Sequence, residues 1–169
     1  MARALLLGGA DPNAADEAGG SPRAWSARGL SLECVKAVLM AFGEPNTRGP
    51  GGDTALMSAC SRPGSPMAAL LLEYGADPNL QNDWGMAAGH ALARRVPARL
   101  EADCSELLEL LECSGIDWGI LDQEGKLAED WAFATGKRGM GERIKSWRES
   151  SELSVLVEVL SKSQKSSSL

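Results

Sequence analysis

The sequence predicts an all-α solenoid, in which helix-turn-helix units joined by short hairpin-like turns stack along one axis. One position of a 33-residue period carries asparagine three times in succession, at Asn13, Asn46 and Asn79. The pentapeptide Gly-Ala-Asp-Pro-Asn occurs at 9–13 and again at 75–79, and a shortened copy lies between them at 43–46. A fixed period of this length is typical of stacked-repeat proteins.

This period divides the chain into a repeat domain, 1–148, and a C-terminal segment. We expect a half unit followed by four units, with bounds at 1–13 and about 14–46, 47–79, 80–119 and 120–148. Because the half unit holds a single helix, we expect the chain to start in mid-unit, with further sequence or a partner covering that end. Residues 149–169 should form a helix with the stripe Leu153, Leu156, Val157 and Leu160, then a disordered serine-rich tail.

Helix starts are marked by capping residues at matched positions. Ser21 and Thr54 lie one period apart, and a hydroxyl oxygen accepts hydrogen bonds from free N–H groups at a helix N-terminus. Pro22 and Pro66 stand at first helical positions, where the missing N–H costs nothing. Apolar residues then recur at helical spacing and predict the core of the first two full units: Trp25, Leu32, Val35, Val38, Leu39, Phe42, Leu56, Ala59, Met67, Leu70, Leu71 and Tyr74.

The third unit breaks the period. About seven residues are inserted around 94–99, and insertions in solenoids map to loops on one face, often the binding face. We expect a long second helix with a stripe running from Leu100 to Leu111. The last unit places Trp131 inward, as Trp25 is in the first, and Ile144 and Trp147 anchor its second helix. Its outer face is predicted to be charged, as in a terminal cap: Lys137, Arg138, Glu142, Arg143 and Lys145.

Composition excludes several kinds of function. The net charge is −6 at pH 7, whereas nucleic-acid and anionic-membrane binders need a basic surface. No apolar run is long enough to insert into a bilayer, and the short apolar start does not form a secretory signal, so the default compartment is cytoplasmic or nuclear. Cys34 and Cys60 fall at core positions, and no C-x-x-C pair occurs among the four cysteines, which favours buried thiols over a disulfide or redox pair.

Neither a catalytic site nor a cofactor or metal site is predicted. His90 is the single histidine, so zinc would need an unusual ligand set, and we expect His90 to hydrogen-bond to neighbouring backbone. Asp122, Glu129 and Asp130 sit at turn and cap positions, where carboxylates stabilise helix starts. The glycine-rich stretch 49–52 lacks the lysine of a phosphate-binding loop.

The arrangement resembles the ankyrin repeat, which has a turn, two antiparallel helices and a T-P-L-H-x-A signature in 33 residues. The second full unit reads Thr54-Ala55-Leu56-Met57-Ser58-Ala59 at that signature. The third reads Ala87-Ala88-Gly89-His90-Ala91-Leu92 and keeps the histidine, whereas the fourth has Asp130 in its place. The resemblance covers residues 1 to about 148. It implies a binding module, with no enzymatic activity, whose partner lies along a concave face of turn tips and first helices.

Carried onto this chain, that face supplies a candidate partner site. Its predicted members are Asp53, Arg62, Asp83, Trp84, Met86, Arg94, Arg95 and Lys126. Trp84 is the main candidate, because a turn tip offers tryptophan no core and Trp and Arg are common interface hot spots. The arginines favour a protein partner with an acidic or mixed surface. Alternatively, Trp84 folds back onto the neighbouring turn and the arginines are simply solvated.

Three other functions stay open at this point. The chain could be a structural accessory subunit of a large multi-protein assembly, which the uncapped half unit and the stripe at 153–160 would favour. It could also be the repeat domain of a longer enzyme or adaptor. Catalysis by the chain itself ranks last.

Overall fold

The computed structural model describes residues 32–40, 44–62 and 66–166. Within these ranges the chain forms α-helices and three short 3-10 turns, at Pro50–Gly52, Ala98–Leu100 and Ala102–Cys104. An isolated bridge between Arg48 and Thr54 is the sole β pairing there. The helices are α1 (Leu32–Met40), α2 (Ala55–Cys60), α3 (Pro66–Glu73), α4 (Ala88–Arg95), α5 (Ser105–Cys113), α6 (Ala128–Ala134) and α7 (Arg138–Ser166).

The helices form two parallel rows. The first helices of successive units, α2, α4 and α6, pack on one another, and the second helices α1, α3 and α5 form the other row. Within units, α2 packs on α3 and α6 packs on α7. This arrangement confirms the predicted all-α solenoid.

The asparagine that repeats every 33 residues ties each unit to the next. The side-chain oxygen of Asn46 accepts a hydrogen bond from the backbone N–H of Asp77 at 2.8 Å, and its nitrogen donates to the Gly75 carbonyl at 3.4 Å. Asn79 makes the same two bonds to the following unit, at 2.7 and 3.0 Å, with Asp117 and Gly115. Gly75 and Gly115 follow the ends of α3 and α5 and have φ of 84° and 75°, a conformation that favours glycine.

A second repeated contact fixes the start of each first helix. Residues three positions after the cap accept a hydrogen bond from the cap's backbone N–H: His90 Nδ1 from Ala87 at 3.2 Å and Asp130 Oδ2 from Leu127 at 2.8 Å. The sulfur of Met57 occupies the same place beside Thr54 at 3.5 Å. The Met57 N–H in turn donates to the Thr54 hydroxyl, which confirms the predicted cap. The histidine of the signature therefore accepts a hydrogen bond from a backbone N–H group, and Met57 and Asp130 take this role in the other units.

The core runs continuously between the two rows. Leu56, Ala59, Leu71 and Ile144 are at most 1% exposed, as their spacing predicts. Leu32, the first residue of α1, is exposed instead. Cys60 and Cys104 are buried free thiols, and burial raises the pKa of Cys60 to about 12 and that of Cys104 to about 11. Trp25 and Phe42, and the side chains of Cys34, Val35 and Val38, lie outside what the structure describes.

Gly89 shows how one unit departs from the signature. It stands where Leu56 stands in the preceding unit, and a Cβ there would lie 2.8 Å from the ring of Trp118. Trp118 is 5% exposed, stacks on Trp147 with ring centroids 6.1 Å apart, and donates its indole N–H to Glu112. The inter-repeat tryptophan thus fills the space that the missing leucine leaves.

Two predictions for the third and fourth units are wrong. The second helix of the third unit begins at Ser105 rather than near Leu100, because two 3-10 turns precede it. In this segment the Glu101 carboxylate accepts a hydrogen bond from the Met140 N–H near the start of α7. Lys137 is not on an outer charged face but fully buried, with its amine donating to the Val96 carbonyl at 2.8 Å. The inserted segment covers this lysine, and burial lowers its pKa.

The last helix continues past the expected end of the repeat domain. α7 runs without a break from Arg138 to Ser166, so its backbone crosses the proposed boundary at 148 and enters the tail that was expected to be disordered. Leu153, Val155 and Leu156 are exposed by more than half, at 62%, 60% and 56%. The division into 1–148 and 149–169 stays a prediction. No helix in the described part of the chain combines the length and apolar content needed to span a bilayer.

Candidate interaction groove

A groove opens between two neighbouring turn tips and the C-terminal end of α4. Its volume is about 400 Å³, towards the lower end of the range of small-ligand pockets, about 300–1,000 Å³. Its lining combines an aromatic ring, a thioether, two arginines and an acidic wall: Trp84, Met86, Arg94, Arg95, Asp122, Gln123 and Glu124. We call this the turn-tip groove.

Both turn tips have the same internal construction. The side-chain oxygen of Asn82 accepts hydrogen bonds from the N–H groups of Trp84 and Met86, at 3.0 and 2.9 Å. Asp122 does the same in the next unit, at 2.9 Å to both N–H groups, with Glu124 and Lys126. These bonds fix the direction in which the residues at each tip project.

The tips are also bonded to one another. The Gln123 N–H donates to the Trp84 carbonyl at 3.0 Å, and the Gln123 side chain donates to the Asp83 carbonyl at 2.8 Å. The Asp83 N–H donates in turn to the Gly51 carbonyl of the preceding tip at 3.0 Å. One edge of the groove is therefore held by hydrogen bonds before any ligand binds, so little conformational entropy is lost there on binding.

Trp84 packs on the neighbouring turn and is also exposed. A Cβ on Gly51 would lie 2.6 Å from the ring, so the absence of a side chain at Gly51 lets the indole fold back over this turn. The residue is nevertheless 50% exposed and lines the groove. The fold-back alternative is therefore observed, and it holds the indole in one orientation while leaving much of its surface open to solvent.

Trp131 packs against the core and also reaches the edge of the groove region. It is half-buried, and its indole N–H donates to Asp122 Oδ2 at 2.7 Å. The Lys126 amine lies 4.3 Å from the ring centroid and the Arg94 guanidinium carbon 4.8 Å from it. Its predicted inward position is thus only partly correct, because one part of the ring packs against the core while two cations lie over its face.

Most charges around the groove are already paired. Arg95 bonds Asp53 at 2.8 Å, and Asp53, 7% exposed, also accepts from Asn82 at 2.7 Å. Lys126 and Glu124 form a pair at 2.7 Å. Burial alone would raise the pKa of Asp122, but the hydrogen bonds it accepts outweigh burial and leave that pKa below its ordinary value.

Arg94 differs from its neighbours in this respect. Among the described residues it has no carboxylate partner. Its guanidinium lies over Trp131, and Nη1 is 3.5 Å from the sulfur of Met86, a weak acceptor. The side chain is thus held on two sides while its strong donors remain open.

The structure brings together only some of the predicted site residues. Trp84, Met86, Arg94 and Arg95 line the groove, although Met86 is 4% exposed and forms part of its floor. Lys126 lies at the edge over Trp131, and Asp53 is buried beneath Arg95. The exposed residues Asp83 and Arg62 do not line the groove.

Sequence reasoning missed Asp122 and Trp131 as residues of the groove region. The signal that could have found Asp122 is its register, since it occupies the position of Asn82 one unit later. His90 behaves as predicted: its Nε2 lies 3.1 Å from the Lys126 carbonyl, in addition to the Ala87 contact. Burial lowers the pKa of His90. No cluster of three potential metal-ligating side chains occurs among the described residues.

Comparison with known proteins identifies similar sequences. Residues 1–82 match a family model of ankyrin repeats, with three copies. The E3 ubiquitin-protein ligase KEG of Arabidopsis thaliana is 27% identical over 145 residues, which is 85% of this chain and 9% of that protein. A protein of Treponema pallidum (strain Nichols) named as ankyrin repeat-containing is 37% identical over 54 residues, 32% of this chain and 18% of that protein. The chain thus spans less than a fifth of the length of either relative.

Proposed function

We propose that the chain is a non-enzymatic module that binds a partner protein on its concave face, because residues 1–82 match a model of ankyrin repeats, which are general protein-interaction modules. The single observation that carries this proposal is the turn-tip groove. It presents an oriented, half-exposed tryptophan beside an arginine that has no carboxylate partner among the described residues.

Two physical arguments support this use of the groove. Tryptophan and arginine are enriched among residues that dominate binding energy, because they bury large area and bond to apolar and anionic groups alike. The hydrogen bonds that fix the tips also reduce the conformational entropy lost on binding. The edge at Asp83 and Gln123 would then be a pre-formed part of the interface.

Affinity capture from native extract tests the proposal. We would compare the wild type with a Trp84→Ala/Arg94→Ala double variant, and with Arg138→Ala as a matched control at an exposed arginine away from the groove. The proposal predicts one or two proteins that the wild type and the control retain and the double variant loses. Identical sets from all three proteins would refute it.

A second function is favoured by a different observation. Leu153, Val155 and Leu156 leave apolar surface exposed on α7, as expected of a structural subunit that is covered within a larger assembly. Under this alternative the isolated chain self-associates or aggregates. Sedimentation of the wild type beside a Leu153→Ser/Leu156→Ser variant tests it: a monomer in both cases would argue against the alternative, and aggregation cured by the substitutions would support it.

A further inference from the structure

We propose that the turn-tip groove recognises an extended partner segment in which a carboxylate side chain and a large apolar side chain stand two residues apart, on the same side of the segment. The carboxylate pairs with Arg94, and the apolar side chain packs on the exposed surface of Trp84. This inference rests on the proposed function and adds the chemistry of the segment that is bound.

The existing pairing of the charged groups around the groove favours a negatively charged ligand group over a positively charged one. Glu124 is paired with Lys126, and Asp122 accepts hydrogen bonds from two backbone N–H groups and from the Trp131 indole. A lysine or arginine of a partner would have to compete with these donors. Arg94 offers charged donors that no carboxylate among the described residues occupies.

The surroundings of Arg94 also prepare it for a planar anion. The guanidinium lies over the Trp131 ring and also contacts the Met86 sulfur, and these two contacts limit its movement. A guanidinium matches a carboxylate with two parallel hydrogen bonds, and less side-chain entropy is lost when the fork is already held.

Trp84 specifies the second, apolar side chain of the segment. Its indole is fixed over Gly51 and is 50% exposed, and Met86 adds apolar floor beside it. Both residues line the same groove as Arg94, and side chains two residues apart lie on the same side of an extended segment, so one such segment can contact the apolar surface and the guanidinium together. An anion alone would leave the tryptophan uncovered, and an apolar residue alone would leave Arg94 unpaired.

The test is a titration of the isotope-labelled full chain with three synthetic peptides. Each is acetylated and amidated, with Gly-Ser flanks, and carries Glu-Gly-Leu, Gln-Gly-Leu or Lys-Gly-Leu at its centre. The readouts are the Trp84 indole N–H and Arg94 Nε–H signals in NMR spectra. We expect the glutamate peptide to shift both signals and to bind about tenfold more tightly than the glutamine peptide, as a lost charge-assisted hydrogen bond implies. The lysine peptide should bind most weakly.

Variants make the result decisive. Arg94→Gln should remove the preference for glutamate over glutamine, whereas Arg138→Gln should keep it, and the spectra themselves report that each variant is folded. Equal binding of the three peptides, a preference for lysine, or no shift of either signal by the glutamate peptide would each overturn the inference. Capture with single variants separates this outcome from failure of the proposed function. If the partner is lost by Trp84→Ala but retained by Arg94→Gln, the proposed function stands and the proposed pairing of a partner carboxylate with Arg94 is wrong.

Discussion

Asn79→Ala removes the two hydrogen bonds by which the repeated asparagine joins the unit at 47–79 to the unit at 80–119. The oxygen and nitrogen of Asn79 each make one hydrogen bond, at 2.7 Å to the Asp117 N–H and 3.0 Å to the Gly115 carbonyl. The truncation leaves the backbone of the following turn without these partners. Because Asp117 and Gly115 are exposed, water replaces part of the lost bonding.

The expected loss follows from the net value of a protein hydrogen bond. Two bonds at about 0.5–1.5 kcal/mol each give a range of about 1–3 kcal/mol, and rehydration of the exposed partners places the result near the lower end. For a chain of this size, a loss of about 1 kcal/mol lowers Tm by roughly 2–4 °C. Urea unfolding followed by both circular dichroism and tryptophan fluorescence measures the loss and shows whether the repeats unfold as one unit.

Asn46→Ala is the matched control. Asn46 makes the same pair of bonds one unit earlier, but its nitrogen lies at 3.4 Å from the Gly75 carbonyl. We therefore expect a smaller loss at Asn46 than at Asn79. If Asn79→Ala costs less than about 0.3 kcal/mol, the claim that the repeated asparagine links successive units is wrong.

Three further predictions concern residues away from the groove. Trp118→Ala should cost about 3–5 kcal/mol of unfolding free energy, because this residue is 5% exposed and stacked on a second tryptophan; a loss below about 1 kcal/mol would contradict the packing described. Burial depresses the pKa of His90 in the folded state, so the unfolded state binds more protons and stability should fall as pH drops below about 6.5. His90→Met, which places a thioether where the preceding unit has one, should remove that part of the pH dependence in urea titrations; an unchanged profile would refute it. Disulfide reagents at neutral pH should label the exposed Cys113 quickly and leave Cys60 and Cys104 unreacted while the chain is folded, since burial raises the pKa of both thiols. Labelling counted by mass spectrometry decides this, and rapid modification of Cys104 would count against its burial.

The fold could be predicted from the sequence because its determinants are local and recur. The asparagine period, the cap at Thr54 and the stripe through Leu56 and Ala59 depend on spacing within one unit or between adjacent units. The same regularity placed Trp84 on a turn tip, since Gly85 and Gly52 mark the register. These features need no knowledge of the path of the chain between units.

Features that depend on that path could not be predicted. Lys137 lies between the two helices of the last unit and looks like a surface cation, yet its amine donates to the Val96 carbonyl of the inserted segment. Trp131 matches an inward position of an earlier unit, but it lies at a half-buried end where Arg94 and Lys126 cover its ring. Arg95 was predicted to be available to a partner, whereas 42 residues away Asp53 provides an internal counter-ion.

The most direct test of the binding-module account is calorimetric titration of the captured partner, once purified, into the wild type and into the Trp84→Ala/Arg94→Ala variant. Loss of two hot-spot side chains, at about 2 kcal/mol or more in total, predicts a dissociation constant at least roughly 30-fold weaker. Arg138→Ala should leave the constant unchanged. A double variant that binds within twofold of the wild type would show that the turn-tip groove is not the site at which the partner is held.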